Sequence, residues 1–106
     1  MIFVSGDQKV APGIELLLTP GHTIAGQSIA VNTAKGTAIV ASDTLHAHRA
    51  FRENNTSILI TDLIGWIESY DKLRAKATSI DLVFPGHDMS MAKDFPKVAE
   101  DVTRLV

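Results

Sequence analysis

TPGHTIAGQSIAV, residues Thr19 to Val31, closes one apolar run on a proline, a glycine and a histidine and then begins another. Proline withdraws a donor from a strand ladder and glycine frees the backbone to turn, so the stretch reads as a strand end that throws His22 into a loop. The same word recurs, since Thr19-Pro20-Gly21-His22 is echoed by Phe84-Pro85-Gly86-His87. Between them Ala41-Ser42-Asp43 carries a carboxylate to a third strand end. A lone loop histidine is best read as a side chain bonded to a carbonyl. Paired endings with an aspartate between them point instead to one site. Two imidazoles and a carboxylate suit Zn²⁺, Mn²⁺ or Fe²⁺, and with no cysteine in the chain any metal must rest on such ligands.

Working outward, Ile2 to Val4 and Ile14 to Thr19 are short apolar runs separated by SGDQKVAPG, in which Gly6-Asp7 and Pro12-Gly13 are turn formers. They predict two strands. Gln27 to Thr33 and Thr37 to Ser42, rich in Ile, Val and Ala around Ala34-Lys35-Gly36, predict a hairpin. TLHAHRAFRENN is polar and reads as a loop or short helical turn, with Phe51 as its buried candidate. From Asp62 to Ala77, the apolar residues Leu63, Trp66, Ile67, Tyr70, Leu73 and Ala77 recur at helical spacing behind an N-cap at Thr61 or Asp62. Ser79 to Phe84 predicts a strand stopped by Pro85-Gly86, and Pro96 opens a short helix through Val106. The order β, β, β, β, α, β, α describes an α/β unit, a mixed sheet with helices on one face.

The chain's 106 residues fit one domain, and 45% of them are hydrophobic, ample for a packed core. Ten basic side chains against 12 acidic ones give no field that argues for nucleic acid or an anionic membrane as partner. MIFVSGDQKV meets glycine and charge too early for a signal peptide, and no apolar stretch approaches the roughly 18 residues of a membrane span. A soluble, unprocessed, cytoplasmic protein is expected, with no disulfides.

GDQKVAPGIELLLTPGHT, then GQS, then AIVASD, then the helix bearing Ser69 and Leu73, then IDLVFPGHD form a pattern that resembles the metallo-β-lactamase superfamily, in its lactonase-like branch. The resemblance implies half of an αββα sandwich with a dinuclear metal site. On that pattern His22 ligates one metal, Asp43 bridges both and His87 ligates the other, while a metal-bridging hydroxide attacks a lactone or ester carbonyl. His46 occupies the place, three residues after the bridging aspartate, where related lactonases carry a tyrosine that polarises the substrate. A histidine there would be catalytic by donating to a carbonyl; otherwise it is a solvated loop side chain. His48 reads as surface, and Asp88 as a residue that holds its loop or accepts from a ligand.

The family's signature, two histidines one residue apart followed by aspartate and histidine, belongs to the N-terminal half. His46-Ala47-His48 imitates its beginning, but Ala50 and Phe51 stand where the aspartate and histidine should be. Gly26 likewise replaces a histidine frequent in the lactonase-like pattern. Residues 1–106 therefore read as a single truncated domain matching the C-terminal half. His22 and His87, sharing only Asp43, leave each ion below the three protein ligands usual for catalytic zinc. The expected function is a remnant or half of a metal-dependent hydrolase, weak or inactive alone. The rival is a noncatalytic homodimeric binding module that keeps the fold, and a third reading makes the chain one subunit beside a separate N-terminal half. The sheet face that the other half would cover, with Ile29, Val31, Ile39 and Leu82 as candidates, would lie bare and favour a homodimer.

Overall fold

The computed structural model describes residues 3–106. Five strands form one sheet in the order β1 (Gln8–Ala11), β2 (Ile14–Leu18), β3 (Gln27–Thr33), β4 (Gly36–Val40) and β5 (Val83–Phe84). The first four are an antiparallel meander, and β5 joins β4 in parallel with Ile39 beside Val83 and Val40 beside Phe84. A parallel pair needs a long crossover. Here it contains α1 (His48–Glu53) and α2 (Leu63–Lys76).

Helix α2 follows its sequence pattern. The Asp62 carboxylate caps it, accepting from Gly65 N at 3.0 Å, and Arg74 and Lys76 sit in the last turn, where they oppose the helix dipole. Trp66, Tyr70 and Leu73 point into the core with Phe51 of α1 and meet Leu17, Ala30, Ile39 and Val83 from one sheet face. The opposite face carries a second, smaller cluster at the β5 edge. There Ala38, Leu82 and Phe84 are covered by Met91 of α3 (Ser90–Asp94), Phe95 and Leu105.

Several expectations need correction. Phe3 and Val4 form no strand, and Ile2 lies outside the described residues. The first strand lies instead in the segment read as a connection, Gln8–Ala11, where every residue is exposed and no buried alternation marks it. Ile80–Leu82 is a 3₁₀ turn, leaving a two-residue β5. The C-terminal helix is absent: β6 (Lys97–Ala99) and β7 (Val102–Thr103) make a separate hairpin turning at Asp101, whose φ is 57°. Of the residues proposed for the bare face, Ile29 is exposed and Val31 half-buried, but Ile39 is buried beneath α2 and Leu82 beneath the C-terminal segment. The remaining apolar exposure on that face is at Ile14, Ile29 and Val40.

Candidate functional site

Strand direction gathers the site. Because β2 and β4 are both antiparallel to the strand between them, and β5 is parallel to β4, the C-terminal ends of all three lie at one edge of the sheet. His22 follows β2, Asp43 and His46 follow β4, and His87 follows β5. Carboxyl ends of strands are where open α/β sheets place ligands. His22, Asp43, His46 and His87 line a single cavity of about 540 Å³, with Leu59 on its wall.

The backbones of His22 and His87 each depend on the glycine before them. Gly21 has φ 141°, and a Cβ there would lie 2.6 Å from Trp66 Cα, so only glycine lets the end of β2 cross the helix. Its carbonyl then accepts from the N–H groups of Thr61 and Asp62 and from the Thr61 hydroxyl, stitching the loop to the start of α2. A Cβ on Gly86 would lie 2.7 Å from Ser42 O, so the loop after β5 can press against the loop after β4. Two backbone bonds hold that contact, Gly86 N to Leu45 O at 2.8 Å and His87 N to His46 O at 3.1 Å. Ser42, next to Asp43, is held at φ 48°, a left-handed conformation uncommon for a residue with a side chain.

Beneath the cavity, buried hydroxyls join the loops. Thr19 Oγ1 lies 2.9 Å from Ser28 Oγ and 2.8 Å from Thr44 Oγ1. Trp66 Nε1 donates to Thr44 O at 2.6 Å, fixing the indole as a floor under both the His22 and His46 rings, whose centroids lie 5.7 and 5.9 Å from it. The imidazoles form a row. His46 stands between His22 at 5.4 Å and His87 at 5.2 Å, each pair meeting edge to face.

The protonation states follow from these contacts. His22 Nδ1 is 2.8 Å from Leu59 O, and a carbonyl only accepts, so Nδ1 carries the proton and neutral His22 keeps its lone pair on Nε2. His87 Nε2 donates to Asp43 Oδ1 at 2.7 Å, a bond that holds the Asp43 carboxyl below its ordinary value against partial desolvation. Burial, reinforced by the charges of His87 and His22, lowers the His46 pKa and favours its neutral, ligating form. Asp88 lies beside this cavity rather than on it. It accepts from His48 N at 3.0 Å and Ser90 N at 2.9 Å, and its pKa lies far below the usual carboxylate range, chiefly through the Ser90 side chain and then the two backbone N–H groups. Asp88 therefore holds its loop, as one of the two readings had it. His48 is not a free surface side chain, because its Nδ1 lies 3.3 Å from the same carboxylate.

All four residues singled out from sequence thus reach one cavity. Among the described residues, one set of donor atoms is tight enough for an ion: Asp43, His46 and His87 offer ligand atoms within 4.8 Å of one another. The chemistry of that set, one carboxylate and two imidazoles, fits a borderline divalent metal. Trp66 and Leu59 are the site residues that sequence reasoning missed. Trp66 signals itself only as part of an apolar helical stripe, indistinguishable from a core residue, and Leu59 belongs to an irregular segment without periodicity.

No protein-family model matches the chain. Among curated proteins, an N-acyl homoserine lactonase of a Bacillus species is 32% identical over 99 residues, covering 89% of this chain and 39% of that protein. One from Bacillus cereus is 30% identical over 92 residues, covering 85% and 36% respectively. Among solved structures, an N-acyl homoserine lactone hydrolase with the product N-hexanoyl-L-homoserine bound at its catalytic metal centre superposes with a TM-score of 0.74. It is 27% identical, and the match covers 88% of this chain and 38% of that one. The chain thus spans well under half the length of the relatives it matches.

Proposed function

Sequence and fold are shared with N-acyl homoserine lactonases of the metallo-β-lactamase superfamily over most of the chain, and from that kinship we propose a hydrolase half-site, weak or inactive alone, that binds a divalent metal and serves a lactone or ester substrate. One observation carries this reading: three strand ends, each closed by a tightly packed turn, deliver Asp43 and His87 into one cavity with His22 and His46. A divalent ion bound there supplies Lewis acidity toward a carbonyl oxygen. Asp43 and His87 are the donors common to the sequence reading and to the tight cluster. His22, with Nδ1 tied to Leu59 O, presents Nε2 as an acceptor for a substrate or water proton. Leu59 supplies an apolar wall.

The test is zinc binding together with turnover. Chain purified without chelator and supplied with zinc should retain the metal through gel filtration, lose it in the Asp43→Ala variant, and open an N-acyl homoserine lactone slowly at most. Failure of the wild-type chain to retain any zinc would overturn the metal reading. Rapid lactone opening that Asp43→Ala abolishes would overturn the statement that the chain is weak alone.

The exposed Ile14, Ile29 and Val40 on one sheet face favour a second reading, a homodimeric module that covers this face with a copy of itself. Light scattering at micromolar concentration discriminates: twice the chain mass supports the module, and a stable monomer removes it.

A further inference from the structure

We propose that His46 is a metal ligand in this chain, completing with Asp43 and His87 a site for one divalent ion, while His22 stays outside the coordination shell. The inference rests on the half-site reading above and says which imidazole completes the site. The family resemblance assigns His22 and His87 to two different ions that share Asp43, an arrangement that gives each ion too few ligands in this chain. The structure groups the donors differently. Asp43, His46 and His87 come from only two loops, those after β4 and β5, and these loops are locked together by Gly86 N to Leu45 O and His87 N to His46 O. The backbones of His46 and His87 are held side by side by a bond to the His46 carbonyl.

The geometry suits one ion. Donor atoms at tetrahedral zinc, about 2.0–2.2 Å from the metal, lie about 3.4 Å from one another. The cluster's 4.8 Å limit is wider than this, and the 2.7 Å His87–Asp43 contact is tighter. The observed spacings thus bracket the value a single ion requires. The His46 and His87 rings stand at 79°, so two imidazoles can aim nitrogens at one point without stacking face to face, and Trp66 backs His46 at an interplanar angle of 86°. Two imidazoles and a carboxylate make three protein ligands, the number that catalytic zinc sites keep while leaving a position open. His22 belongs to the other loop, after β2, and is not among the residues whose donor atoms form the tight group. It lines the same cavity as their neighbour.

Zinc is the probe. Chelator competition should find one zinc per chain, with affinity lowered at least about 100-fold by His46→Ala and by His46→Gln, a loss at or beyond the upper range for removing an outer-shell partner. His22→Ala should stay within a few-fold of wild type. Far-ultraviolet circular dichroism checks that each variant is folded. Long-range proton–nitrogen correlation spectra of the unmutated chain give an independent readout: one equivalent of zinc should move ring nitrogens of His46 and His87 by the large shift of direct ligation and leave those of His22 nearly in place. Zinc binding that needs His22 and not His46 would overturn this assignment and leave the half-site reading standing. No zinc binding by the wild-type chain would overturn both.

Discussion

The two PGH turns have the same three letters and do different work. The first, after β2, is built into the body of the fold: Gly21 sits at φ 141° against the backbone of α2, and its carbonyl takes three hydrogen bonds from Thr61 and Asp62. The second, after β5, is built against another loop, where Gly86 has no positive φ and touches Ser42 O, and its histidine bonds Asp43. The residue after each word differs accordingly. Thr23 lends its carbonyl to its own turn, receiving Gly21 N and Gly26 N, whereas the Asp88 carboxylate pins the start of α1 and the loop leading into α3. A shared motif thus sets where a histidine leaves a strand. The packing partner decides whether the turn serves stability or the assembly of the site.

The sharpest way to break the comparison is to give each glycine a Cβ. Gly21→Ala combines overlap with an immovable helix backbone and a left-handed φ, and should cost on the order of 3 kcal/mol or more in urea denaturation. Gly86→Ala meets only the loop backbone at Ser42 and should cost less, about 1–3 kcal/mol. Its larger effect should be on zinc retention, because pushing the two loops apart separates His87 from Asp43 and His46. Equal destabilisation by the two substitutions, with metal binding unchanged in Gly86→Ala, would dissolve the distinction.

Asp88 sharpens it further through pH. Its folded pKa is depressed, so its stabilising contribution is present above the ordinary carboxylate value of about 4 and is lost as pH falls below that toward the folded value. Asp88→Asn should therefore lower stability at pH 7 by about 1 kcal/mol and flatten the loss between pH 5 and pH 3, as read from thermal melts across that range. Thr23→Ala, on the first turn, leaves the carbonyl that does the work in place and carries no titrating group. It should change stability by only about 0.5 kcal/mol, with no change in the acid limb.

Much of the fold was legible before the structure. Helix α2 declared itself by spacing and by an N-cap at Thr61 or Asp62, between which the structure chose Asp62, and the β3–β4 hairpin by runs rich in Ile, Val and Ala around Ala34-Lys35-Gly36. The misses have physical reasons. Edge strand β1 is exposed throughout, so it lacks the alternation that burial imposes, and its charge is what an edge strand carries to resist pairing with other chains. In the C-terminal segment Val98, Val102 and Val106 repeat at helical intervals and Pro96 suits a helix start, yet all three valines are substantially exposed and the chain turns back at Asp101. A period of four signals a helix only when that face has something to bury against. Here the available apolar surface, at Phe84, is taken by Phe95 and Leu105.

The site divides in the same way. Local chemistry alone marked His22, Asp43 and His87 as residues leaving strand ends, because the stereochemistry of proline and glycine acts within a few bonds, whereas His46 was marked only by the resemblance, which sets it three residues after the bridging aspartate. Which imidazole stands nearest to which carboxylate is a long-range matter, settled by strand order, by parallel pairing of β4 with β5, and by two hydrogen bonds between loops some 40 residues apart in the chain. Spacing along a sequence carries no information about such distances. Only the folded sheet, by aligning three carboxyl ends and stacking one loop on another through a missing Cβ, brought His46 between its neighbours.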